Sequence, residues 1–236
     1  LSFMKNFWLC APYPRSAPHL TSWLIIAFLA ITAQFVVFPS AAGSKQTSVE
    51  YLKKAVHRGD WHLAFLNAVS LPTSELPAYI KWAEPRAGEI PASMLVVLAN
   101  ALREMDIKTA LRWHTKARLR LRVNLSVCKN QKEAWGGNYV LDNFAEKLIR
   151  YRLMQPKLAI AATREALKWD DAHMKSYRSP KWDCMIAINM LKAASRKPML
   201  KSAPALVPRK ERADIRQKAR QAFLERQIKL TSMMSN

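Results

Sequence analysis

Ala110-Leu-Arg-Trp-His-Thr-Lys-Ala-Arg-Leu-Arg-Leu-Arg-Val-Asn-Leu-Ser-Val-Cys128 can be read as a helix or as a strand, and the choice decides the fold class. Its second half, Arg118 to Val127, alternates polar and apolar residues, the template of a half-buried strand. Over the whole stretch, however, Ala110, Trp113, Ala117, Leu121, Asn124 and Cys128 return to one face at about 100° per residue. No second alternating run exists to pair with it, and a lone strand leaves its backbone groups unsatisfied. The stretch is therefore predicted to be a helix, with Asp106 as its cap, and the chain to be all-α.

The flanking sequence agrees. Five glycines in 236 residues are too few for the turns of sandwiches, barrels or phosphate-cradling loops. Val49, Leu52, Ala55 and Val56, then Trp61, Ala64, Phe65, Ala68 and Val69, form two helical stripes around Gly59-Asp60, an αα-hairpin. Thr47 and Glu50 suit a capping box for the first. Pro72, Pro77, Pro85 and Pro91 restrict 72–91 to short turns, pinned to the core by Tyr79, Ile80 and Trp82. A helix follows from Pro91 through Leu102. Glu133 to Gly137 reads as a break, Tyr139–Met154 as one helix, and Pro156 to Trp169 as the next. Asp170 to Pro180 reads as a loop before a helix through Leu191. Pro198, Pro204 and Pro208 loosen the approach to a last helix, whose narrow stripe of Ile215, Ala219, Ala222, Phe223 and Leu230 predicts a weakly docked accessory. The expected architecture is an irregular helical bundle or a short array of α-hairpins.

Leu98–Ala117 resembles a tetratricopeptide or Sel1-like helical pair, with small Ala110 and Ala117 seven apart and Trp113 between them. His57–Ala68 resembles the same turn and second helix, and Leu158–Trp169 echoes it. The resemblance covers about a third of the chain and departs from those families in lacking a regular period. It implies a protein-binding scaffold with a concave face and supplies no catalytic residues.

Compartment is read from Trp23–Phe38, an uncharged apolar run after a lead whose only full charges are Lys5 and Arg15. Pro39-Ser-Ala-Ala-Gly43 supplies small residues for cleavage after Ala42. The alternative is an uncleaved inner-membrane anchor. The expected organisation is a signal peptide or anchor at 1–42, a helical domain at 43–197, and a basic linker and helix at 198–236. Periplasmic or secreted location follows. Cys10 falls in the lead, leaving Cys128 and Cys184 to form one disulfide in an oxidising compartment.

The net charge of +21 favours anionic partners without choosing among them. Arg209, Lys210, Arg212, Arg216, Lys218 and Arg220 on the last helix are the candidate contacts for such a partner, whereas Arg112, Lys116, Arg118, Arg120 and Arg122 spread around theirs. No metal-ligand spacing occurs; His57 and His62 flank a turn, and Asp170, Asp171 and His173 suit a solvated loop. Neither cysteine has a basic neighbour in sequence, and no Gly-x-Ser-x-Gly is present. Glu133 and Glu146 are the candidates by position for the carboxylate of a peptidoglycan-cleaving enzyme, without the motif such enzymes carry. Trp61, Trp82, Trp113, Trp135, Trp169 and Trp182 fit core positions better than ligand stacking.

These readings converge on an exported, non-catalytic helical protein that needs no cofactor and binds another envelope protein. Anionic lipid or polymer is a further candidate surface, and export argues against nucleic acid. The alternatives are an envelope enzyme and a basic nucleic-acid or anionic-surface binder.

Overall fold

Residues 107–125 are helical throughout, and the strand template inside them is not used. A computed structural model describes residues 48–174 and 180–234, with side chains to Lys229. Ten α-helices and three single 3-10 turns make up the regular structure of the described residues, which contain no β-strand. The signal or anchor at 1–42, its cleavage after Ala42, Cys10 and the Thr47 cap all lie outside them. No helix among the described residues is long and apolar enough to cross a membrane.

The first hairpin is formed by α1 (Ser48–His57) and α2 (Trp61–Val69). Gly59 turns at φ +72°, a conformation that disfavours any side chain, and Asp60 Oδ1 accepts from Leu63 N at 3.0 Å. The start of α1 is capped from outside the hairpin: Ser48 N and Val49 N donate to the Glu75 carboxylate at 3.2 and 2.9 Å. In the proline-punctuated stretch, α3 (Leu76–Ala83) lies between the 3-10 turns Thr73–Glu75 and Glu84–Arg86. Tyr79 anchors it by donating its hydroxyl to Met94 O at 2.9 Å.

The centre is the pair α4 (Ala92–Leu102) and α5 (Ile107–Leu125). Every residue of α4 except Asn100 is buried. Asp106 caps α5 through Lys108 N and Thr109 N at 3.0 and 3.1 Å. The latter helix is buried well beyond its small-residue stripe, because α4 and α8 cover different sides of it.

The chain continues as α6 (Gln131–Phe144), α7 (Glu146–Met154), α8 (Pro156–His173), α9 (Lys181–Ala194) and α10 (Arg212–Met234). Three expectations change here. Gly136 and Gly137 do not break a helix but sit inside α6, where a Cβ on Gly137 would overlap the Ala187 carbonyl of α9. The glycine therefore serves the close approach of two helices, where the sequence suggested a break between helices. Tyr139–Met154 is not one helix, since it divides at Ala145 (φ −106°, ψ 24°). Asp170, Asp171 and His173 are the last turn of α8 and not a loop.

The C-terminal segment is held more firmly than its prolines suggest. Residues 127–129 pair antiparallel with 205–207 through Lys129 N to Ala205 O at 3.0 Å and Val207 N to Val127 O at 2.9 Å. Asn189 Oδ1 accepts from Leu200 N at 2.7 Å. Beyond it, α10 lies on α5 and α8, with Phe223 buried among Leu119, Val123 and Ala166. The accessory-helix expectation gives way: one bulky side chain seats a helix whose stripe is otherwise thin.

Two devices lock the middle. The sulfurs of Cys128 and Cys184 are bonded, with Cα atoms 5.9 Å apart, joining the turn after α5 to the first turn of α9. Beside them Asp183, fully buried, accepts from Ala92 N at 3.2 Å, Ser93 N at 3.0 Å, Ser93 Oγ at 3.1 Å and Asn124 Nδ2 at 2.7 Å. Pro91 cannot cap α4, so an acid 90 residues away in sequence does it, satisfying orphan N–H groups at the positive end of the helix.

Candidate functional site

Arg118, Arg120 and Arg122 alternate with apolar residues, and on a helix two residues advance by about 200° while four advance by about 40°. Arg118 and Arg122 therefore share one side of α5 and Arg120 takes the other. The alternation that imitates a strand distributes charge to two different environments.

On the Arg120 side the charges are matched. Its Nε lies 3.2 Å from Asp170 Oδ1, its guanidinium stacks 4.0 Å from the Trp169 ring centroid, and Nη1 reaches Gly88 O at 3.4 Å. Arg220 of α10 completes the group, with 3.3 Å to Asp170 Oδ2 and 2.6 Å to Asp171 Oδ1. Lys116 and Arg112 both pair with Glu165, at 2.7 and 3.5 Å. Trp113 meets Trp169 edge-on at 6.1 Å and donates Nε1 to Glu84 at 3.1 Å. A cavity of about 20 Å³, room for one water, is lined by Arg120, Asn124, Asp170, Arg216 and Arg220. Two arginines against two aspartates make this a structural clamp of α10 onto α5 and α8.

On the Arg118 and Arg122 side the charges are unequal. Arg118 Nη2 pairs with Asp142 Oδ2 of α6 at 3.1 Å, and Arg122 lies 5.5 Å from the Trp135 ring. Arg152 of α7 is 6% exposed, and its Nη2 is buried with no hydrogen-bond partner. Burial, reinforced by Arg118 and opposed by Asp142, pulls the Arg152 pKa down to about 9. Burial also lowers Arg122, and the charges of Arg226 and Arg118 lower it further. Asp142 is pushed up by burial although Arg118, Arg152 and Arg226 all pull it down. One carboxylate thus faces arginines from α5, α7 and α10. Deeper in α5, His114 is fully buried with neither ring nitrogen hydrogen-bonded, and burial holds its pKa well below the usual imidazole value.

The residues expected to meet an anionic partner divide. Arg209, Lys210 and Lys218 are exposed, whereas Arg212 donates Nε to Val207 O at 2.9 Å, Arg216 lines the small cavity and Arg220 is consumed by the aspartates. Glu133 stands in the first turn of α6, and Glu146 pairs with Arg150 on the surface at 2.6 Å. His62 is partly buried without a partner, which lowers its pKa despite Asp60. No group of His, Cys, Asp and Glu among the described residues is arranged to hold a metal.

Sequence reasoning passed over Arg152 and Asp142. Arg152 follows Leu148 by one helical turn, so an arginine at a core position of α7 was the available signal. Asp142 gave none, since its partners come from other helices. No known protein family, curated protein or solved structure matches this chain.

Proposed function

We propose that this chain is an exported, non-catalytic helical protein that binds another protein of the bacterial cell envelope, as an adaptor or an immunity-type component. The observation that carries the reading is the buried Cys128–Cys184 bridge, because such bonds persist in oxidising compartments and this one ties the turn after α5 to the first turn of α9. The hairpins α1–α2 and α4–α5, with Ala110 and Ala117 buried on α5, support the resemblance to tetratricopeptide or Sel1-like scaffolds. Exposed Arg209, Lys210 and Lys218 suit the encounter with an acidic partner face.

The test uses the full chain in its own cells, with a photo-crosslinking residue in place of Lys218, followed by fractionation and non-reducing mass spectrometry. The reading expects an envelope fraction, one intact bridge, and a crosslink to one envelope protein that disappears when Arg209 and Lys210 are changed to Glu. Cytosolic protein with two free thiols would remove it.

A further inference from the structure

The side of α5 that carries Arg118 and Arg122 is expensive as it stands. Three helices bring guanidinium groups to one carboxylate, Arg118 from α5, Arg152 from α7 and Arg226 from α10, and Arg122 of α5 feels the charges of Arg118 and Arg226. The ion pair there, Arg118 to Asp142 at 3.1 Å, satisfies a single cation. Arg152 is the sharpest symptom, since a guanidinium 94% removed from solvent with an unbonded Nη2 forgoes both hydration and a partner. Arg226 is exposed, so the group borders solvent.

We propose that Arg118, Arg152 and Arg226, with Arg122 beside them, form a binding site for a phosphate group. A guanidinium presents forked donors that match the oxygens of such an anion, and several of them arriving from different helices suit a tetrahedral oxyanion better than a planar one. Asp142 cancels one positive charge, so a dianion neutralises the remainder more completely than a single carboxylate does. The bound phosphate gives Arg152 Nη2 its missing acceptor and relieves the repulsion among the arginines. The site is independent of the protein partner proposed above, because none of Arg118, Arg122, Arg152 and Arg226 belongs to the partner contacts Arg209, Lys210 and Lys218.

The experiment is isothermal titration of the purified, oxidised full chain with inorganic phosphate, ionic strength being fixed with sodium chloride so that general screening stays constant. A second arm uses glycerol phosphate, a phosphomonoester. Saturable one-to-one binding is expected. Equal affinity for the two points to free phosphate as the ligand, and tighter binding of the ester points to a phosphate carried on a larger molecule. Arg226→Gln, an exposed change that leaves the core intact, weakens binding about tenfold, the loss typical of one charged hydrogen bond. Arg152→Met keeps the volume and weakens it at least as much, while Lys218→Gln, outside the group, leaves it unchanged. Absence of saturable binding to both compounds overturns the proposal, as does binding that Arg226→Gln and Arg152→Met leave untouched.

Discussion

Adjacent glycines in α6 offer a test of the packing with its own control. Replacing either by alanine adds one methyl and gains about 1 kcal/mol of helix propensity. At Gly136 the new methyl meets the tip of Leu191, with Cδ2 at 2.9 Å, and that tip is free to rotate. A displaced rotamer costs about 0.5–1.5 kcal/mol, so the two effects nearly cancel. At Gly137 the methyl overlaps the Ala187 carbonyl and comes within 2.8 Å of its Cα, all backbone of α9. Restoring ordinary carbon contacts requires the helices to part by on the order of 1 Å, since such atoms rest at about 3.5–4.0 Å. Overpacking of that kind typically costs about 1–3 kcal/mol, and moving a helix that carries both Cys184 and Asp183 puts this case at or above the upper end. Gly137→Ala should therefore lose about 2 kcal/mol net, and Gly136→Ala should stay within about 0.5 kcal/mol of the parent. Urea denaturation followed by circular dichroism measures both, with the slope checked for a common denatured state. A Gly137→Ala protein as stable as Gly136→Ala would refute the close α6–α9 approach.

Phe223→Ala should cost about 3–5 kcal/mol in the same assay, the usual loss for a buried aromatic, whereas no change would restore the view of α10 as an accessory. Changing Cys128 and Cys184 together to alanine should lower stability by about 4 kcal/mol, from the entropy of a loop with sequence separation 56; an unaltered midpoint would show that the bridge constrains nothing. His114 predicts a pH dependence. Its folded pKa is depressed, so below the unfolded value of 6.5 the unfolded chain binds a proton that the native ring refuses, and stability falls as pH falls. Between pH 7.5 and 5.5 this contributes a loss of about 1.4 kcal/mol, which His114→Leu should remove. Parallel profiles for the two proteins would contradict that assignment.

How much was legible in the sequence follows from the range of the forces involved. The α1–α2 hairpin with its Gly59-Asp60 turn, the Asp106 cap and the helical reading of Ala110 onward rest on neighbours a few residues apart, and these the sequence states directly, although the helix ends at Leu125 and not at Cys128, where the chain pairs with Leu206 instead. The disulfide was accessible too, because only Cys128 and Cys184 remain after the N-terminal segment. The division of Arg118 and Arg122 from Arg120 needs only the helical repeat. What met each side did not follow, since Asp142, Asp170 and Trp169 belong to other helices.

Tertiary structure decided the rest. Gly137 is locally indistinguishable from a helix breaker, and only the carbonyl of Ala187, 50 residues on, turns it into a contact that excludes any side chain. Asp183 looks like an ordinary first-turn acid until the N-terminus of α4 arrives above it. Arg152 shows a charge at a core position in the sequence, but its missing partner exists only where α5, α6, α7 and α10 surround it. Periodicity and capping are one-dimensional and fix the helices. Steric exclusion and charge balance depend on which helices meet, and that is a property of the folded chain.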